Sequence, residues 1–296
     1  ETINNEPSTI NQFAVLYRTN AQSRVLEESF LKAGIPYILV GGIRFYERKE
    51  IKDVLAYLRL VVNPKDSVSL IRVEKIGKNR MARFFEATSS QDQSQQSNTL
   101  ELLDLVLDKT NYLDFLEDGT DQGKSRVENV KELRSVAENY PVLVEFLENV
   151  TLVENEYFQN EKKKRSNANR TGVTLSTIHQ AKGLEWPTVF LVGMEEGLFP
   201  HSNSLIDPAQ LEEERRLAYV GITRAKDCLY LTHSRQRLIY GTKSHNLVSR
   251  FLIDIPQTLI ESESGYQEKD VYRSKQSDDF FDDLTVTKDK EDWLNT

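Results

Sequence analysis

From Glu212 to Asp227 the chain reads EEERRLAYVGITRAKD, and the residue in it best suited to chemistry is Arg224. Leu217, Val220, Gly221 and Arg224 recur at helical spacing, so the guanidinium is expected to project from a packed face of a helix spanning Leu211 to Ala225. A planar fork of N–H donors suits the oxygens of a transferring phosphoryl group, where an arginine can contribute about 10³ to 10⁵ in rate. The same charge could instead close a structural ion pair with Glu212, Glu213 or Glu214. Upstream, TIHQAKGLEW from Thr177 to Trp186 offers His179, Lys182 and Glu185 on one short segment, and LYRTN places Tyr17 and Arg18 at the end of an apolar run.

One phosphate-binding signal is a decoy. GTDQGKS, from Gly119 to Ser125, imitates GxxxxGK[ST] but is one residue short, and the preceding Leu113, Phe115 and Leu116 belong to a helical pattern. A phosphate loop must instead follow a buried strand, so that its amides converge on the anion at a helix start. This stretch is expected to be an interhelical turn. With no other Gly-Lys-Ser or Gly-Lys-Thr in the chain, phosphoryl transfer by these residues unaided is not expected. The four histidines show no metal-ligand spacing with cysteine or carboxylates, so no metal site is expected.

Elements that could position these groups alternate at both ends of the chain. Phe13 to Tyr17 reads as a strand, Ala21 to Ala33 as a helix stopped by Gly34, Tyr37 to Val40 as a strand, and Glu47 to Val62 as an amphipathic helix ended at Asn63 and Pro64. From Val173 the alternation resumes with strands Val173 to Thr177, Val189 to Val192 and Leu229 to Thr232 around the helix that carries Arg224. Such alternation predicts an α/β fold with a mostly parallel sheet covered by helices. Between these ends, Leu100 to Leu116 and Val127 to Glu154 carry helical patterns without strand signals, separated by a Gln- and Ser-rich loop from Ser89 to Asn98. The middle therefore reads as a helical insertion.

At 296 residues and 39% hydrophobic content, the chain can build one or two domains with real cores. No apolar run approaches the ~20 residues that span a bilayer, and no signal-peptide pattern opens the chain, so a soluble protein is expected. The absence of methionine at Glu1 suggests a piece of something longer. Cys228, the single cysteine, has no internal partner and lies in the strand-like run CLYLTH, where a buried structural thiol in a reducing compartment is expected. The net charge of −8 argues superficially against nucleic acid, but residues 261–296 hold eleven acidic and five basic side chains, so the body is nearly balanced. Local basic groups then matter: Arg44, Arg48, Lys49, Lys182, and the run Lys162 to Arg165, which otherwise reads as a solvated linker.

EEERRLAYVGITRA, TIHQAKGLEWPTVFLVGMEEGLFPH and the block from Phe13 to Leu60 that includes LYRTN and GGIRFYERKEIKD closely resemble, in order, three blocks of superfamily 1 DNA helicases of the UvrD, PcrA and Rep group, in their carboxy-terminal half. The likeness covers residues 12–72 and 171–256. It implies a RecA-like parallel sheet flanked by helices: a discontinuous motor domain over residues 1–72 and 171–260, a shortened all-helical insertion domain over 73–170, and a disordered acidic tail over 261–296. It implies ATP with magnesium as cofactors, the magnesium ligands lying in a missing amino-terminal half. By resemblance, Tyr17 stacks near the adenine, Arg18 and Arg224 reach the γ-phosphate as catalytic groups, and Glu185 meets the ribose. His179 and Lys182 touch a DNA backbone and Tyr240, in RLIYG, stacks on a base. Tyr240 could equally be a tyrosine packed at an element's end. Arg48 is read as a further DNA contact, although it could simply decorate a solvated helix face. GLFPH, from Gly197 to His201, either carries function or is a rigid turn.

The activity implied is ATP-dependent 3′–5′ helicase or translocase action in a bacterial cytoplasm, on single-stranded DNA and its junctions with duplex, in repair or replication. Repair or transcription proteins are possible partners of the tail, and no membrane is implied. Two alternatives stay open: the motor part of a helicase-nuclease, or a non-catalytic module that binds DNA or recruits partners.

Overall fold

Phe13–Tyr17, FAVLY, is buried at four of its five positions, which a strand can be only when covered on both faces. It forms β1 at the centre of a five-stranded sheet. The computed structural model describes residues 9–89, 97–166 and 171–261. The sheet order is β2–β3–β1–β4–β5, with β2 Tyr37–Leu39, β3 Val173–Thr177, β4 Trp186–Val192 and β5 Ala225–Thr232. Every pairing is parallel.

Helix α1, Ser23–Lys32, crosses from β1 to β2 and lays Leu26, Phe30 and Leu31 over Val15, Tyr17, Tyr37, Val173 and Leu175. Residues of opposite parity face the other way. Leu16 and its register partner Leu191 lie on that second face. It is covered by the helix that joins β4 to β5, Pro208–Ile222, in which Gly221 comes so near the sheet that a Cβ there would lie 3.3 Å from Leu191. The predicted α/β architecture is thus present. β5 is an edge strand with most residues exposed, and Cys228 on it is exposed, not buried as expected from its apolar neighbours.

Among the described residues between β2 and β3 the regular elements are helices: α2 Lys49–Val62, α3 Ser67–Ile76, α4 Lys78–Thr88, α5 Thr99–Thr110, α6 Tyr112–Leu116, α7 Asp121–Asn139 and α8 Leu143–Ser166. The Pro208–Ile222 helix is then α9. Helix α2 is buried nearly all round, as a helix at the centre of a bundle must be. Its Ile51, Leu55 and Leu58 join Phe84, Val106, Leu133 and Phe146 in one core that begins upstream at Phe45, within the segment read as motor. Among the described residues, those up to Phe251 form one compact unit and those from Leu252 belong to a second.

Local chemistry sets the breaks. Asn98 and Glu101 form a reciprocal capping box that starts α5. Asn111 adopts the left-handed conformation and separates α5 from α6. Thr120 caps α7 by accepting from the Gly123 N–H at 3.0 Å, so the Gly-Lys-Ser imitation is the first turn of a helix that follows a helix. The apolar pattern predicted as one helix from Val127 to Glu154 is two, because Pro141 has no amide to donate. The run Lys162 to Arg165 lies within α8, not in a linker. A two-stranded hairpin, β6 Arg237–Ile239 and β7 Thr242–Ser244, turns through Tyr240 and Gly241, both at positive φ, and was not predicted. The acidic tail from 262 onward and most of the Gln- and Ser-rich loop lie outside the described residues. Among the described residues no helix is long and apolar enough to cross a membrane.

Candidate functional site

Open parallel sheets place ligands beyond the carboxyl ends of their strands. Here Arg18, Thr19 and Asn20 leave β1, His179 and Gln180 leave β3, and the loop to His201 leaves β4; all line a cavity of about 650 Å³ that Lys124 of α7 and Glu213 and Glu214 of α9 also line. Arg18 is gripped by Glu214: Nε donates to both carboxylate oxygens at 2.9 Å and Nη2 to Oε1 at 2.6 Å. Glu214 also accepts the His201 backbone N–H at 3.1 Å. The His201 Nδ1 accepts from the Asn203 N–H, which leaves Nε2 to carry the proton and donate to Glu128 at 3.2 Å.

His179 stands exposed at the rim, in the turn that also carries Lys182. Desolvation, and next the Arg18 charge, lower its pKa below the usual 6.5. It is therefore neutral at pH 7, and an N–H is what it can offer a phosphate.

Arg224 lies beyond the end of α9, not on the helical face its spacing suggested, because the helix stops at Ile222. Its guanidinium folds back on neutral acceptors: Nε donates to the Val220 carbonyl at 3.0 Å, Nη1 to the Leu184 carbonyl at 3.1 Å and Nη2 to the Thr223 hydroxyl at 3.0 Å. Among the described residues no carboxylate pairs with it. A cation at a helix C-terminus is favoured by the helix dipole, but its charge is left uncompensated. Glu185 follows Leu184 directly and is half-exposed, 3.6 Å from Lys226. Arg224 and Glu185 thus share a rim built from the Lys182 turn and the end of α9. They do not line the cavity that holds Arg18 and His179.

Tyr17 is 2% exposed within the core under α1, and burial, then Glu27, push its phenol well above the usual range. It offers no open ring face. Tyr240 is half-buried at the hairpin tip, which docks on α7 through the Tyr240 N–H to Glu132 at 3.4 Å and the Gly241 N–H to Ser135 at 3.0 Å. Glu195, fully buried, clamps the hairpin base by taking Arg237 at 2.6 and 2.9 Å.

Arg48 requires a correction. It is 7% exposed, donates to the Ile43 and Asn20 carbonyls, Ser23 and Asn129, and packs over Phe45, so it cannot meet DNA. It ties the sheet's loops to α7. Arg24, on α1, ties that helix to α7 by pairing with Glu132 at 2.6 Å across 108 positions. Sequence reasoning named Glu214 only as a possible partner of Arg224, not of Arg18, and His201 only as the end of the GLFPH block. The placement of His201 at the end of the GLFPH block was available as a signal, whereas nothing in the spacing foretold the grip of Glu214 on an arginine 196 positions away.

The UvrD-like helicase C-terminal domain family model matches residues 1–118 and 85–236. The chain is 41% identical over 299 residues to the ATP-dependent DNA helicase PcrA of Bacillus subtilis, with 86% of this chain and 40% of that protein covered. It is 36% identical over 330 residues to the PcrA helicase of Staphylococcus epidermidis, covering 96% and 45%, and 38% identical over 295 residues to that of Staphylococcus aureus, covering 85% and 40%. The chain spans less than half the length of these relatives.

Proposed function

For a chain that belongs to the UvrD-like helicase C-terminal domain family, we propose the role of second motor half, with a helical insertion, of an ATP-dependent DNA helicase. Residues 1–72 and 171–260 make the motor domain 2A in this reading, 73–170 the insertion domain and 261–296 an acidic appendage. The observation that carries it is the state of Arg224, a guanidinium held by three neutral oxygens with its charge unspent. Such a group is ready for the oxygens of a triphosphate presented by a companion domain that supplies the phosphate loop.

Arg18 would be the second phosphate contact, Glu185 the acceptor for a ribose hydroxyl, and Tyr17 the packed floor beneath Arg18 instead of an open stacking ring. The donor set here is guanidinium and imidazole, which fits phosphate oxygens. Magnesium would arrive on the triphosphate with its protein ligands in the companion domain, and it supplies charge neutralisation there. His179 and Lys182 would contact the backbone of single-stranded DNA, and Tyr240 a base, at the strand ends where closure of the two domains is felt. Movement is 3′ to 5′ in this reading, in a bacterial cytoplasm, on single strands and their junctions with duplex.

The test is Arg224→Ala in the complete motor. DNA-stimulated ATP turnover should fall by about 10³ or more with the fold intact, as for arginines that meet the γ-phosphate. Undiminished turnover removes Arg224 from the mechanism and the proposal with it. This chain by itself should show no ATP turnover under the same assay.

A further inference from the structure

Glu214 projects from α9 to a point where one carboxylate serves two loops. Both of its oxygens accept from Arg18, beyond β1, and Oε2 also accepts the backbone N–H of His201, beyond β4. The residue is 6% exposed although it lines the cavity. Arg18 is bound through Nε and Nη2, so Nη1 is the corner of the guanidinium that Glu214 does not engage.

We propose that Glu214 is a positioning residue that fixes the plane of Arg18, leaving Nη1 for a phosphate oxygen, and joins that orientation to the loop bearing His201. This rests on the reading of Arg18 as a phosphate contact. A bidentate carboxylate–guanidinium pair is planar and charge-assisted, so it sets the direction of the donors it does not consume. A buried carboxylate parted from its cation is strongly disfavoured, which keeps Arg18 from swinging free. Any displacement of the His201 loop must also move, or lose, the acceptor it shares with Arg18. One side chain therefore transmits events at the loop to the phosphate-facing arginine.

The experiment is a double-mutant cycle on kcat and KM for ATP, in the complete motor with saturating oligo-dT, using Arg18→Ala, Glu214→Gln and the pair. Glu214→Gln should lower kcat by about ten- to a hundredfold, the loss typical of a misplaced catalytic group, in protein that circular dichroism shows to be folded. On the Arg18→Ala background it should cost nothing further, because its effect acts through the missing guanidinium. Glu214→Asp, which keeps the charge and withdraws the oxygens by one methylene, should show the same dependence on background. Equal losses in both backgrounds, or an undiminished kcat in Glu214→Gln, overturn the inference while leaving Arg18 in place. An Arg18→Ala motor of full activity overturns the reading beneath it.

Discussion

Three arginines of identical chemistry end in three electrostatic states. Arg48 is sealed among carbonyls, Ser23 and Asn129, Arg18 is gripped by a carboxylate, and Arg224 rests on neutral oxygens. The first cannot be lost cheaply: Arg48→Met should destabilise the fold by about 3–5 kcal/mol, since it strands the buried Glu27 and Glu50 nearby. Urea denaturation measures this, and the salt dependence of oligonucleotide binding should not change. His179 carries a sign. With its pKa held below 6.5 in the folded protein, unfolding takes up protons as pH falls through 6.5, so this residue weakens the fold in acid. If His179 meets the DNA backbone as proposed, a bound phosphate favours the imidazolium, so affinity for oligo-dT should rise from pH 7.5 to 6, and His179→Asn should flatten that rise. Titrations by fluorescence anisotropy at several pH values check both. The candidate residues were legible as types in motifs, but their states were not. What separates Arg48 from Arg224 is partners such as Asn129, 81 positions away, which spacing along one helix cannot show.

At the scale of elements, what repeats locally was readable. FAVLY is an apolar run of strand length and VTLST a run rich in β-branched residues, and each lies buried in the sheet within the predicted bounds. Breaks decided by a single residue were harder: Asn111 at φ 47° divides one apolar pattern into α5 and α6. The β6–β7 hairpin escaped because its turn residues are Tyr-Gly, without the Asn-Gly or Asp-Gly signal of a two-residue turn. That turn is also fragile. Gly241 sits at φ 81°, and a Cβ there would lie 3.1 Å from the Arg134 Cβ on α7. Gly241→Ala should therefore lift the hairpin from α7 and cost about 1–3 kcal/mol in strain. If Tyr240 stacks on a base, binding of oligo-dT should weaken by the ~1–3 kcal/mol that Tyr240→Ala removes. Calorimetry on both variants compares the two losses directly.

For the whole molecule, charge and connectivity matter more than any one contact. Residues 261–296 supply a net charge of −6 of the total −8, a field opposed to a polyanionic ligand. Removing them should tighten oligo-dT binding at low salt, and the gain should vanish near 1 M salt, where the Debye length is only about 3 Å. Connectivity has its own result. The sheet's central strand sits between two neighbours that come from the far side of the helical region, and the Gly172 N–H beside β3 reaches Asn11 across 161 positions. A ribosome adding about 5–20 residues per second needs on the order of ten seconds between making β1 and making its first pairing partner. Through that interval the nascent FAVLY segment waits unpaired while the helices after it are synthesised and can coil, so β1, though made before the other strands of its sheet, finds its place only after the helical region is complete.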